Sequence, residues 1–151
     1  MYQRILLAVD GSRSSDLALS QAIAIAKTTG AEVRVLYVVD DSDVYFEASY
    51  FDPRELIGNL VAHGRKALDV AIARLSEAGI RSKAQLDEKP VAPGRISSTI
   101  VAEADTWNAD LIVMGTHGRR GVRRLLMGSV SEGVLTKTNK PLLLVRSEAE
   151  G

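Results

Sequence analysis

Cysteine is absent from this sequence, which excludes a disulfide framework, a thiol nucleophile and any thiolate metal site. Histidine occurs only twice, at His63 and His117, so a transition-metal site has almost nothing to be built from. Lys plus Arg and Asp plus Glu number 19 each, and a net charge of zero argues against bulk binding of nucleic acid or other polyanions. No apolar run approaches the length of a membrane span. The N-terminal run ends at Asp10, too short for the apolar region of a signal peptide. The expectation is a soluble, cytoplasmic chain with no membrane insertion and no nucleic-acid partner.

What the chain has in quantity is aliphatic residue. Hydrophobic residues make up 46% of it but aromatics only 5%, a balance that suits aliphatic strands under alanine-rich helices. Its 151 residues suffice for one domain with a self-sufficient core and not for two ordinary ones.

Short apolar runs alternate with helical patterns. Strands are expected in "RILLAVD" (4–10), "AEVRVLYVVD" (31–40), "IRSKAQLDEK" (80–89), "ADLIVMG" (109–115) and "KPLLLVRS" (140–147). The first reads as buried on both faces, the third as an edge strand with one wetter face. Helices are expected in "SDLALSQAIAIAKTTG" with Gly30 as the stop, from Pro53 to about Gly79, in "ISSTIVAEADTWN" and in "SVSEGVLTKTN". Residues 41–52, acidic and aromatic, read as a loop, and 148–151 as a flexible tail on a domain of residues 1–147. The order β-α-β-α-β-α-β-α-β implies a single doubly wound α/β domain: a five-stranded parallel sheet with helices on both faces.

The stretch from Met114 to Glu132, "MGTHGRRGVRRLLMGSVSE", joins the fourth strand to the fourth helix. Ligands of open α/β sheets bind beyond the carboxyl ends of strands, where this stretch begins. Its glycines fall as G-x2-G-x9-G-S, at Gly115, Gly118 and Gly128 followed by Ser129. Glycine lets backbone N–H groups close around a phosphate, and a helix N-terminus favours an anion. The residues alone leave two readings open: a phosphate cradle, or turn glycines followed by a capping box of Ser129 and Glu132. Arg119, Arg120, Arg123 and Arg124 either add charge for a phosphate or form a solvated face. The stretch is neither a P-loop, since Met127-Gly128 stands where Gly-Lys should precede Ser129, nor GxGxxG.

These residues carry a resemblance. From "ILLAVDGS" through "DLIVMGTHG" and "GSVSEGVL" to "NKPLLLV" the chain is similar to the universal stress protein family, and G-x2-G-x9-G followed by Ser or Thr marks the family's ATP-binding branch. The resemblance implies strand order 3-2-1-4-5 and a nucleotide-dependent regulator or sensor of the stress response. It implies that Gly115, Gly118, Gly128 and Ser129 hold phosphates and ribose with the amides of Val130 and Ser131. Asp10 meets the ribose or a Mg2+ ion, and Ala8 and Val38 line the adenine pocket, Val38 through its backbone. Val9, Met114, His117, Arg119 and Arg120 complete the nucleotide-binding set. A homodimer paired through Pro141 to Val145 is also implied, and a regulated protein partner is left unidentified.

Asp10 has a second reading, as the cap of the turn "DGS". Asp40 and Asp41 read as a solvated loop, His63 as a surface or half-buried residue, and Trp107 as packing. Tyr45, Phe46, Tyr50 and Phe51 read equally as ligand-stacking residues or as a lid. A committed hydrolase or adenylyl transferase needs a positioned base or a signature such as SGGxDS or HxGH, and neither occurs; slow ATP hydrolysis is the alternative activity. A phospho-acceptor receiver domain needs Lys-Pro after its fifth strand, whereas Lys140-Pro141 precedes it here. A flavodoxin-like carrier needs its phosphate loop after the first strand, where "DGSRSS" supplies one glycine.

Overall fold

A computed structural model describes residues 2–39, 52–87, 96–116 and 128–147. The strands are β1 (Arg4–Ala8), β2 (Glu32–Val38), β3 (Ser82–Asp87), β4 (Leu111–Gly115) and β5 (Leu142–Val145). The helices are α1 (Arg13–Thr29), α2 (Pro53–Glu77), α3 (Ile96–Trp107) and α4 (Ser129–Lys137). All strand pairs are parallel and the order is β3-β2-β1-β4-β5, as the resemblance implied. This order separates the chain from the flavodoxin and receiver architecture, whose order is 2-1-3-4-5.

The unbroken apolar run of β1 follows from its position. Ile5, Leu6 and Leu7 are 0% exposed because helices cover both faces of the strand and β2 and β4 cover both edges. Ile5, Leu7, Val33, Val35 and Val113 pack under α1 and α2, against Leu19, Ala22, Leu68 and Leu75. Leu6, Leu36, Ile112 and Met114 pack under α3 and α4, against Ile100, Ala104 and Val134. Helices therefore lie on both faces. The β3 strand is the wetter edge expected of it, and β5 is the other edge.

Local chemistry explains the helix ends. Helix α1 starts at Arg13, two residues before the expected Ser15, because Ser12 is the N-cap and accepts from the Ser15 N–H. It stops at Gly30, whose φ of 76° allows its N–H to reach the Ala26 carbonyl at 2.8 Å. Pro53 opens α2 behind the Asp52 cap. At the amino end of the sheet, the Trp107 ring lies 4.6 Å from the Arg34 guanidinium carbon and 5.9 Å from that of Arg4. Arg4 also donates to the Trp107 carbonyl at 2.8 Å.

Gly64 brings α2 onto the sheet. An ideal Cβ there would lie 2.6 Å from Cδ1 of buried Tyr37 and 2.9 Å from Cδ1 of Leu86, whereas at Gly58 in the same helix it would meet nothing within 4 Å. Helix propensity alone favours alanine at both. Gly58→Ala is therefore expected to stabilise by about 0.5–1 kcal/mol, and Gly64→Ala to destabilise by about 1–3 kcal/mol through overpacking. Urea unfolding of the two variants measures both signs, and stabilisation by both would refute the close contact.

Candidate functional site

The strand order reverses at β1, which neighbours β2 on one side and β4 on the other, so a crevice is expected beyond its carboxyl end. The register defines that crevice. Ala8 pairs with Leu36 and Leu7 with Val113, so β2 runs on to Val38 and β4 to Gly115 after β1 has ended. The last rung from the β1 side is the Val9 N–H donating to the Leu36 carbonyl at 2.9 Å. Val39 donates to Asp87 on β3. Alternation along β2 therefore turns the backbone groups of Val38 toward the gap that β1 leaves. On β4, Ile112 and Thr116 donate to carbonyls of Pro141 and Val145 at the β5 side, so the backbone groups of Gly115 face the β1 side.

The turn after β1 is tightly tied. Gly11 takes a φ of 83°. Asp10 Oδ1 accepts from the Ser12 N–H at 2.8 Å, and Ser15 Oγ accepts from the Asp10 N–H at 3.1 Å. The turn-capping reading of Asp10 is thus a feature of the structure, and it engages one carboxylate oxygen.

Gly115 has a packing reason for lacking a side chain. An ideal Cβ would collide with the Ser14 hydroxyl and lie 2.8 Å from Ser14 Cβ and backbone carbon. The first turn of α1 therefore presses on the end of β4. One residue later, the Thr116 carbonyl accepts from the Gly128 N–H at 2.7 Å and from the buried Ser131 hydroxyl at 2.8 Å. The Ser131 hydroxyl also lies 3.0 Å from the Gly128 carbonyl. The two ends of the glycine motif are brought together by this clamp.

The capping box expected of Ser129 and Glu132 is not formed. Gly128 is the N-cap, Ser129 is already the first helical residue, and Gly128 has no side chain with which to cap α4. A hydroxyl inside the first turn cannot fold back as an N-cap hydroxyl does, so among the described residues the first-turn amides are without a side-chain cap.

Ala8, Val38, Met114 and Val130 pack in one cluster on the α3 and α4 face. The Val9 side chain points to the opposite face, into the cluster under α1 and α2. Asp10 stands at the turn between the faces. His117, Gly118, Arg119 and Arg120 lie outside the described residues, as do Arg123, Arg124, Asp40, Asp41, Tyr45, Phe46, Tyr50, Phe51 and the 148–151 tail. Among the described residues no three His, Cys, Asp or Glu side chains gather as a metal cage. No helix among them is long and apolar enough to cross a membrane.

Three contributors escape sequence reasoning. Ser14 is set against Gly115 from a position far away in the chain, and no local pattern announces the pair. Ser131 acts through its hydroxyl, where only its amide was expected to matter. His63 reaches across from α2 to the turn after β1, with Nε2 3.4 Å from the Asp10 carbonyl oxygen.

Comparison with known proteins agrees with this architecture. Residues 1–146 match the model of the Universal stress protein family. The chain is 37% identical over 150 residues to universal stress protein MJ0531 of Methanocaldococcus jannaschii, covering 97% of this chain and 83% of that one. The solved structure of MJ0577, from the same organism, superposes with a TM-score of 0.81 at 28% identity, covering 98% of both chains. A universal stress protein from Archaeoglobus fulgidus in complex with dAMP shares the fold, with a TM-score of 0.69 at 24% identity over 95% of this chain and 98% of that one. With the family match spanning nearly its whole length, this chain belongs to the universal stress protein family.

Proposed function

We propose that this chain binds ATP in the crevice beyond β1 and acts in the cytoplasm as a nucleotide-dependent regulator or sensor of the stress response. The observation that carries the reading is the clamp at Thr116. It sets the glycine-capped start of α4 beside the end of β4, so the outer glycines of G-x2-G-x9-G-S meet at one place. A helix start without a side-chain cap offers first-turn amides and a partial positive charge to a phosphate. Gly118, Arg119, Arg120 and His117 belong to the motif between those ends and are assigned to the same ligand.

The apolar group of Ala8, Val38, Met114 and Val130 suits an adenine ring, and the backbone of Val38 is turned toward it. Asp10 is the carboxylate at the mouth and is assigned to the ribose or a nucleotide-borne Mg2+. One carboxylate fits that ion, since Mg2+ is held by one or two carboxylates together with substrate phosphates. The ion's chemistry there is to neutralise phosphate charge; the chain's part is to orient the nucleotide. That the fold accommodates such a ligand agrees with the dAMP complex of the Archaeoglobus protein.

A homodimer through β5 is part of the same reading. Carbonyls of Pro141 and Val145 bond back to β4, so alternation turns the backbone groups of Leu142 and Leu144 to the open edge. An apolar open edge is a template for a second strand.

Mass spectrometry of small molecules released by denaturing the purified protein is expected to show an adenine nucleotide. No nucleotide there, and no binding of added Mg-ATP, would sink the reading. Gly128→Asp separates a phosphate site from an ordinary turn. The new carboxylate caps α4 and keeps stability within about 1 kcal/mol, yet repels phosphate, so ATP affinity should fall about tenfold or more in calorimetry. Light scattering is expected to give a dimer for the unaltered chain and a monomer for Leu144→Pro, which removes an edge donor and leaves the β4 ladder intact.

A further inference from the structure

His63 lies within α2 and is exposed, yet its imidazole meets groups from two other places in the chain, the turn after β1 and strand β2. An ideal Cβ on Gly11 would stand 2.7 Å from His63 Nε2, so the ring fills the space a side chain at position 11 would need. Nε2 lies 3.4 Å from the Asp10 carbonyl oxygen. The ring meets Tyr37 edge-on, with centroids 6.0 Å apart and planes at 65°. Tyr37 is itself 1% exposed in the core, and Gly64, next to His63, permits α2 to close upon it.

A carbonyl oxygen can only accept, so Nε2 carries the proton in this contact. The Asp10–Gly11 peptide is then gripped from two sides: its carbonyl by His63, and the chain beyond it by the bond from the Ser12 N–H to Asp10 Oδ1. That peptide leads into the positive φ of Gly11, so its rotation would swing the Asp10 carboxylate away from the Ser12 amide. We propose that His63 is a positioning residue of the nucleotide site: by holding the Asp10 carbonyl and covering Gly11, it sets the direction in which the Asp10 carboxylate meets the ligand. This rests on the nucleotide reading of the crevice. It gives α2, otherwise a covering helix, a direct hold on the site. It also explains a glycine at position 11 on two counts, conformation and space.

The test uses the whole chain with His63→Leu, which keeps bulk and loses the donor, and His63→Gln, which keeps an N–H at similar reach. In the nucleotide-free protein, hydrogen exchange of the Ser12 amide should quicken about fivefold to tenfold in His63→Leu, the scale of one hydrogen bond, and return close to the original in His63→Gln. Affinity for Mg-ATP by calorimetry should fall and recover in parallel. Unchanged Ser12 exchange in His63→Leu overturns the proposal. A Gln variant as impaired as the Leu variant overturns it too, because bulk and not the donor would then be responsible. If the unaltered protein binds no nucleotide while His63→Leu still quickens Ser12 exchange, the nucleotide reading falls and the hold of His63 on the turn stands.

Discussion

Burial of β1 on every side is the constraint from which the rest of the structure follows. A strand with helices on both faces and neighbours on both edges must be apolar throughout, and Ile5, Leu6 and Leu7 are. Because the order of strands reverses at β1, its end leaves a gap between two strands that continue, β2 to Val38 and β4 to Gly115. Polar and conformationally special residues gather at that gap: Asp10, Gly11 and Ser12 on one side, Gly115, Thr116 and Gly128 on the other. Site and core are consequences of one topology.

The fold was legible because its signals are local. Period and length of the apolar runs place all five strands, and Gly30, Pro53 and Gly79 punctuate the helices where their conformations are needed. The site was legible in part. Glycine spacing points to the stretch whose two ends the Thr116 carbonyl joins, but the reason for a glycine is a contact, and contacts are long-range. Gly115 faces Ser14, Gly64 faces Tyr37 and Gly11 faces His63, pairs with no common local pattern. The capping box failed for a one-residue reason: Ser129 and Glu132 have the right spacing, but the helix begins at Ser129 and gives the cap to Gly128. Helix α1 likewise begins before the expected Ser15, at Arg13 behind the Ser12 cap, in a run of several serines able to serve.

Serine does two jobs at this edge of the sheet. Ser12 and Ser15 close the turn that carries Asp10, and Ser131 closes the connection between β4 and α4. Ser15 and Ser131 satisfy backbone groups just past a strand and Ser12 satisfies one in the first turn of α1, a requirement wherever backbone is left in partial burial. A crevice assembled this way is shaped by the packing of α1, α2 and α4, and substitutions in those helices should reach it through Ser14, His63 and Ser131.

The single tryptophan adds a practical dimension. Trp107 is stacked by Arg34 and Arg4 at the amino end of β1, while the crevice lies at the carboxyl end, about 15 Å of strand away. Its intrinsic fluorescence therefore reports the separation of the two guanidinium groups from the indole. That makes it a built-in optical gauge of unfolding at the end of the sheet opposite the crevice.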